Sequence, residues 1–180
     1  MTPTPAHRAL TEDQQGRLSR AAERAGARDH ALVALALDPG LRTGEIARLD
    51  DADVSITAGA GHVRVAAGKA AMPSKVPLRA QARSVVTAWR VHRVQTSRGA
   101  RDPALFVGPE GQRLSARSVD RVIREVGRAA GLEVSPGTVR HTCATNLARA
   151  GGSPAMIARL LGHARVDLAR LYTVPAHGSE

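Results

Sequence analysis

Three short segments near the C-terminal end of the chain read Val-Arg-His-Thr-Cys-Ala-Thr at 139–145, Leu-Leu-Gly-His at 160–163 and Leu-Tyr-Thr at 171–173. They place Arg140, His163 and Tyr172 in a fixed order, with His163 23 positions after Arg140 and Tyr172 nine positions after His163. A guanidinium can bind an anion, an imidazole can donate a hydrogen bond, and a phenolic oxygen can act as a nucleophile. These segments are therefore the first candidates for the chemistry of the chain.

Helix signals surround these segments. Ser135-Pro136 predicts the start of a helix that carries Arg140, since a first turn does not need the N–H that proline lacks. Gly151-Gly152 ends that helix, and Ser153-Pro154 opens another, which ends at Gly162. Capping residues, glycines and apolar spacing predict further helices at about 11–26, 29–37, 43–49, 80–94, 115–131 and 166–172.

The segment from 54 to 78 has the alternating pattern of strands, as in His-Val-Arg-Val at 62–65, and several glycines interrupt it. Two or three strands of a small antiparallel sheet fit this pattern best, and 104–107 is predicted as another brief strand. The expected fold class is mainly α with a small antiparallel β-sheet. It starts at Thr11, after a flexible leader at residues 1–10.

The charge of the chain favours a polyanionic partner. Its 180 residues include 26 basic and 16 acidic side chains, a formal net charge of +10. Only Lys69 and Lys75 are lysines, and the arginine excess, with abundant alanine, indicates a coding bias that adds to this charge. A single small domain with this charge still attracts nucleic acid. Because Trp89, Phe106 and Tyr172 are the only aromatics, the chain lacks the stacking platform of single-strand binders, and duplex is favoured.

Other classes of protein fit less well. The single Cys143 excludes a disulfide framework and a cysteine-based zinc site, and it suits a reducing compartment. The longest apolar run, at 31–37, is far shorter than a membrane span, and the N-terminal residues lack the order of a secretory signal, so a soluble cytoplasmic protein is expected. Gly68-Lys69 lies outside any complete phosphate-binding loop, so no nucleotide cofactor is expected.

Two upstream motifs complete a family pattern. Residues 40–46 read Gly-Leu-Arg-Thr-Gly-Glu-Ile, and Gly68-Lys69 in the predicted hairpin is followed by Val-Pro-Leu at 76–78. Together with the C-terminal segments, these motifs resemble the catalytic domain of the tyrosine recombinase (phage integrase) family, in the right order from Thr11 to Thr173. The resemblance implies the fold of the DNA breaking-rejoining enzymes over residues 11–180, without the family's N-terminal core-binding domain.

The resemblance implies that Tyr172, the only tyrosine, is the nucleophile that forms a 3′-phosphotyrosyl bond. Arg42 and Arg140 would bind the non-bridging oxygens of the phosphate, where negative charge builds. Guanidiniums stay charged at any useful pH, so the reaction would need no metal and no other cofactor.

Three further residues receive supporting roles from the resemblance. Lys69, in the hairpin, would protonate the leaving 5′ oxygen as general acid. His163 would add a hydrogen bond to the phosphate, and Glu45 would orient the first arginine. Taken singly, Lys69 is an ordinary turn lysine and His163 a cation at the end of a helix. His141 and Cys143 are expected to pack or hydrogen-bond inside the domain, without a catalytic role.

The sequence departs from the family pattern at Gly137, three residues before Arg140, where the family usually has histidine. It also begins at the catalytic domain and has only eight residues after Tyr172, fewer than the usual tail. Two hypotheses follow for function. The first is site-specific recombination or integration of duplex DNA, as in mobile elements. The alternative is a degenerate or truncated relative that binds duplex DNA or a partner recombinase without cutting.

A third hypothesis is a topoisomerase-like nicking enzyme without site preference. The expected partners are double-stranded DNA and other recombinase protomers, with no membrane and no nucleotide. The expected location is the prokaryotic cytoplasm, associated with the nucleoid. A substrate nicked near the cleavage site separates the enzyme from the binding-only relative, because only the enzyme is covalently trapped.

Overall fold

The computed structural model describes residues 9–66, 74–96 and 103–161. In chain order the elements are α1 (Glu12–Ala25), α2 (Ala27–Leu37), α3 (Thr43–Arg48), a 3-10 turn (Asp51–Asp53), β1 (Val54–Ile56), β2 (Gly61–Val65), β3 (Ser74–Pro77), α4 (Ala80–Thr96), α5 (Ala116–Ala129), α6 (Pro136–Arg149) and α7 (Pro154–Leu161). Helices dominate and the strands form one sheet, so the predicted fold class is confirmed.

Helix α2 lies at the centre of the core. Five of its eleven residues are buried, namely Ala31, Leu32, Val33, Leu35 and Ala36. The helix packs against α1, α4, α5 and α6, and a helix that is apolar on most sides is typical of such a central position. Because α2 leads directly into the turn before α3, its packing also fixes where that turn lies.

Helix starts follow the predicted caps. Thr11 Oγ1 accepts the backbone N–H of Gln14 at 3.3 Å, and Gln14 Oε1 accepts the backbone N–H of Thr11 at 2.9 Å, which completes a capping box. Ser115 and Ser135 each accept the N–H three residues later at 3.1 Å. The cap at Ser135 fixes the start of α6 and therefore the position of Arg140, one turn further on.

The three strands form an antiparallel sheet in the order β1-β2-β3. Val54 pairs with Val63, and Val63 pairs with Val76, so three valines lie side by side across the sheet. All three are buried, which places this face of the sheet against the core. The prediction of two or three antiparallel strands is confirmed, and the segment between β2 and β3 lies outside the described residues.

Residues 104–107 do not form the predicted strand. Their backbone pairs only at isolated points with separate partners, with Asp50 at one end and Arg113 at the other. Trp89 Nε1 donates to the carbonyl of Leu105 at 2.9 Å. All four residues are buried, so the apolar run reflects a connecting segment inside the core, with its polar groups satisfied individually.

The start of α2 also differs from the prediction. Gly26 has φ of 120°, so a single residue separates α1 from α2, and α2 begins at Ala27 rather than two residues later. Leu10, the last residue of the predicted leader, packs into the core. Leu10 is buried, and its N–H donates to Oγ1 of Thr142 on α6 at 2.9 Å. The predicted leader up to residue 8 lies outside the described part of the chain.

Candidate active site

The start of α3 carries Arg42 and Glu45. Arg42 is the residue before the helix, and Oε2 of Glu45 in the first turn accepts its backbone N–H at 2.7 Å. Oε1 of the same carboxylate lies 3.6 Å from Nη1 of Arg42. A carboxylate here satisfies an N–H that no helical carbonyl can reach, and it faces the positive end of the helix dipole. Glu45 therefore holds both the backbone and the side chain of Arg42.

Arg140 approaches the same carboxylate from α6. Its Nη1 lies 4.0 Å from Oε2 of Glu45 and donates a hydrogen bond to the carbonyl of Gly40, a residue 100 positions away in the sequence. The side chain of Arg140 is 16% exposed, whereas that of Arg42 is 51% exposed. The fold thus brings Arg42, Glu45 and Arg140 together, with one guanidinium set into the protein and the other half open to solvent.

The turn from α2 to α3 orients this cluster. Gly40 has φ of 70°, in the left-handed region that glycine adopts without a steric cost. The N–H of Leu41 donates to the carbonyl of Leu35 at 3.1 Å, which closes the end of α2. The sequence shows this turn through Pro39-Gly40, but it gives no sign that the Gly40 carbonyl accepts from an arginine on α6. This contact is the part of the site that sequence reasoning misses.

A second group of side chains lies behind the turn. Cys143, one turn after Arg140 on α6, donates from Sγ to the carbonyl of Asp38 at 3.0 Å. Burial, with a smaller contribution from the charge of Asp38, raises the pKa of the Cys143 thiol to about 12. The thiol therefore stays protonated and packs inside the domain, as expected. Asp38 pairs with Arg79, whose Nε lies 3.3 Å from Oδ1.

Two guanidiniums around one carboxylate leave a net positive charge. Arg42 and Arg140 can each present a planar fork of donors, and such forks match the oxygens of a phosphate. The single carboxylate of Glu45 orients them without cancelling both charges. This arrangement suits the binding of a phosphodiester, with the more exposed Arg42 on the solvent side.

Lys69, His163 and Tyr172 lie outside the described residues, so their positions relative to the cluster stay predictions. The same holds for the helix predicted at 166–172 and for the predicted end of α7 at Gly162. Gly137 is described: it is an exposed residue in the first turn of α6, three positions before Arg140. Residues three apart on a helix share a face, so Gly137 lies on the side of α6 that carries Arg140.

The described ranges hold neither a metal-binding group of side chains nor a membrane-spanning helix. Among residues 9–66, 74–96 and 103–161, no three His, Cys, Asp or Glu side chains are grouped closely enough to hold a metal ion. Within the same ranges, no helix is both long and apolar enough to cross a membrane.

Comparison with known proteins yields one family. The sequence pattern described as Phage integrase family matches residues 8–178. Tyrosine recombinase XerC of Stutzerimonas stutzeri (strain A1501) is 34% identical over 149 residues, which cover 81% of this chain and 48% of that protein. The chain therefore spans about half the length of this relative.

Solved structures agree with the sequence comparison. The crystal structure of XerA recombinase matches 99% of this chain and 63% of that one, with a TM-score of 0.83 and 30% identity. XerH site-specific recombinase, crystallised bound to its difH substrate in a pre-cleavage complex, matches 92% of this chain and 50% of its own, with a TM-score of 0.78. At 21% identity, the XerH match shows the shared fold alone.

Proposed function

Because the chain belongs to the phage integrase family, we propose that it cuts and rejoins duplex DNA at specific sites through a 3′-phosphotyrosyl intermediate. We assign residues 11–180 to the catalytic domain of such an enzyme. XerC carries the name tyrosine recombinase, and XerH is a site-specific recombinase bound to its difH substrate, which supports recombination at specific sites by this chain.

One observation carries the proposal: Glu45 lies between Arg42 and Arg140, which reach it from α3 and α6. Transfer of a phosphoryl group places negative charge on the two non-bridging oxygens, and prearranged donors stabilise that charge best. The proposed roles follow from this geometry. Arg140, set into the protein and tied to Gly40, provides a fixed donor, and Arg42 closes on the phosphate from the solvent side.

The proposed reaction exchanges one phosphodiester for another. The phenolate oxygen of Tyr172 attacks phosphorus and forms a bond to it, while the bond from phosphorus to the 5′ oxygen of the next nucleotide breaks. Lys69 supplies the proton that the leaving 5′ oxygen takes up, and His163 donates a hydrogen bond to the phosphate. Attack by the freed 5′ hydroxyl of a second strand reverses these steps and releases Tyr172. No bond energy is lost, so no nucleotide is consumed.

Gly137 lowers the expected rate. It lies where the family usually has a histidine, on the face of α6 that carries Arg140. Without that imidazole, one donor or proton carrier is missing beside the phosphate. We therefore propose an active enzyme that cleaves more slowly than a version with histidine at this position.

The partners and location also belong to the proposal. Double-stranded DNA is the substrate, and further recombinase protomers assemble on it, since strand exchange needs more than one nucleophile. A net charge of +10 favours the approach of DNA and makes the affinity fall steeply with salt. The bacterial XerC relative supports a place in the prokaryotic cytoplasm, and association with the nucleoid follows from the substrate.

A substrate with a nick near the cleavage site tests the proposal. Cleavage there releases a short fragment that diffuses away, so the covalent complex accumulates and is visible on a denaturing gel. The chain should form this adduct, and Tyr172→Phe should form none while it binds duplex with nearly unchanged affinity, since only a hydroxyl is lost. Retention of the DNA without any adduct by the unaltered chain would favour the binding-only alternative, and an adduct with Tyr172→Phe would refute the assignment of the nucleophile.

A further inference from the structure

The turn between α2 and α3 is clamped onto α6 by two hydrogen bonds. The carbonyl of Asp38 accepts from Sγ of Cys143 at 3.0 Å, and the carbonyl of Gly40 accepts from Nη1 of Arg140. Cys143 and Arg140 are three residues apart on α6, so both donors lie on one face of that helix. A displacement of the turn therefore changes the position of the Arg140 guanidinium, and it moves Arg42, which follows two residues after Gly40.

The carboxylate of Asp38 links this turn to a third element. Its Oδ1 lies 3.3 Å from Nε of Arg79, which lies between β3 and α4. The Asp38 side chain is only 22% exposed, and within the described residues its buried Oδ2 has no hydrogen-bond partner. Burial raises the pKa of Asp38, and the charge of Arg79 and a hydrogen bond from its backbone N–H oppose that shift. Burying a carboxylate costs solvation free energy, and an apolar residue at the end of α2 would avoid that cost. The presence of an aspartate here therefore indicates that its carboxylate has a role.

We propose that Asp38, held by Arg79, is a positioning residue that aims Arg42 and Arg140 at the phosphate. It touches neither arginine side chain with its carboxylate. It acts through the backbone of the turn, whose Gly40 carbonyl is the partner of Arg140. The inference rests on the proposed function, since it names what the pair does for that reaction.

The chain offers a closely matched control pair. Arg64 Nη2 lies 2.9 Å from Oδ1 of Asp53, and the side-chain exposures are 58% and 21%, against 58% and 22% for Arg79 and Asp38. Asp53 ends the 3-10 turn before β1, where its Oδ2 also accepts the N–H of Asp50 at 3.0 Å, and Arg64 lies on β2, so neither residue belongs to the turn between α2 and α3. Loss of this pair removes an ion pair of the same kind and exposure. Variants of Asp53 and Arg64 therefore show how far the loss of any such ion pair changes the rate of adduct formation.

Asp38→Asn and Arg79→Gln should each slow adduct formation on the nicked substrate by about 10-fold. A small misplacement of reacting groups lowers a rate by ~10²-fold at most. Affinity for duplex should change no more than it does in Asp53→Asn and Arg64→Gln, which alter the net charge by the same amount. The double variant should be no slower than Asp38→Asn alone, because Arg79→Gln removes only the ion pair that Asp38→Asn already removes. Arg79→Lys, which keeps the charge, should recover most of the rate, whereas Asp53→Asn and Arg64→Gln should react like the unaltered chain.

A second readout does not depend on catalysis. In protein with ¹⁵N-labelled arginine, the Nη resonances of Arg140 are identified by their loss in Arg140→Lys. The hydrogen bond to Gly40 should slow the rotation of the Arg140 guanidinium, and these resonances should report it. In Asp38→Asn they should broaden or shift, and in Asp53→Asn they should stay in place. Unchanged Arg140 signals together with an unchanged rate in Asp38→Asn would overturn the inference. If the signals move as expected but the unaltered chain forms no adduct, the positioning stands and the proposed function fails.

Discussion

Replacing Glu45 separates its contribution to stability from its contribution to the arginine cluster. Glu45→Ala removes the acceptor of the Arg42 N–H at 2.7 Å, a loss that costs about 1 kcal/mol at a helix start. The contacts to the guanidiniums at 3.6 and 4.0 Å add less than about 1 kcal/mol, because Arg42 is half exposed. The free energy of unfolding should therefore fall by about 1–2 kcal/mol, which for a domain of this size lowers Tm by roughly 2–8 °C.

Glu45→Gln is the matched variant. Its amide oxygen can still accept the Arg42 N–H, as glutamine does in capping boxes, so it should lose less than half as much stability as Glu45→Ala. Both variants lack the carboxylate that orients Arg42 and Arg140, so both should slow adduct formation by on the order of 10-fold. Thermal unfolding followed by circular dichroism and single-turnover trapping give the two quantities. Equal destabilisation by both variants would refute the capping role, and a full rate in either would refute the orienting role.

The other predictions concern Gly137, the phosphate donors and the thiol. Gly137→His should speed adduct formation, by on the order of 10²-fold at most, and should stabilise α6 by no more than about 1 kcal/mol; an unchanged rate would show that no imidazole is needed there. EDTA should leave cleavage unaffected, because Arg42 and Arg140 supply the positive charge, and activity that returned only with magnesium would contradict this. Cys143 has a folded pKa raised from 9.0 to about 12, so its contribution to stability should be complete below pH 9 and should fall as the pH rises from 9 towards 12. Denaturant titrations from pH 8 to 11 check this against Cys143→Ala, which should lack that part of the pH dependence.

Local signals in the sequence predict the elements well. Thr11, Ser115 and Ser135 start helices where their side chains accept the N–H three residues later, an interaction that depends only on neighbouring residues. The buried segment at 104–107 is mispredicted for the opposite reason. Its partners Asp50 and Trp89 come from other elements, and an apolar run alone does not distinguish a strand from a buried connection.

In the site, too, the sequence predicts which residues are involved but not the tertiary contacts that hold them. The motifs place Arg42, Glu45 and Arg140 in the sequence, and the fold brings their side chains together, while their catalytic roles stay predictions. The contacts that hold them could not be predicted. The Gly40 carbonyl and the carboxylate of Asp38 interact with residues on α6 and before α4, and no pattern of residue types encodes such tertiary contacts. They are visible only once the packing of α2 against α6 is known.

The most direct test of the central claim is the identity of the residue that becomes bonded to DNA. The adduct trapped on the nicked substrate is digested with protease and nuclease, and the modified peptide is sequenced by mass spectrometry. We expect a nucleotide attached through its 3′ phosphate to Tyr172, the only tyrosine in the chain. A nucleotide on a serine, histidine or cysteine, or one attached through a 5′ phosphate, would contradict the proposed reaction.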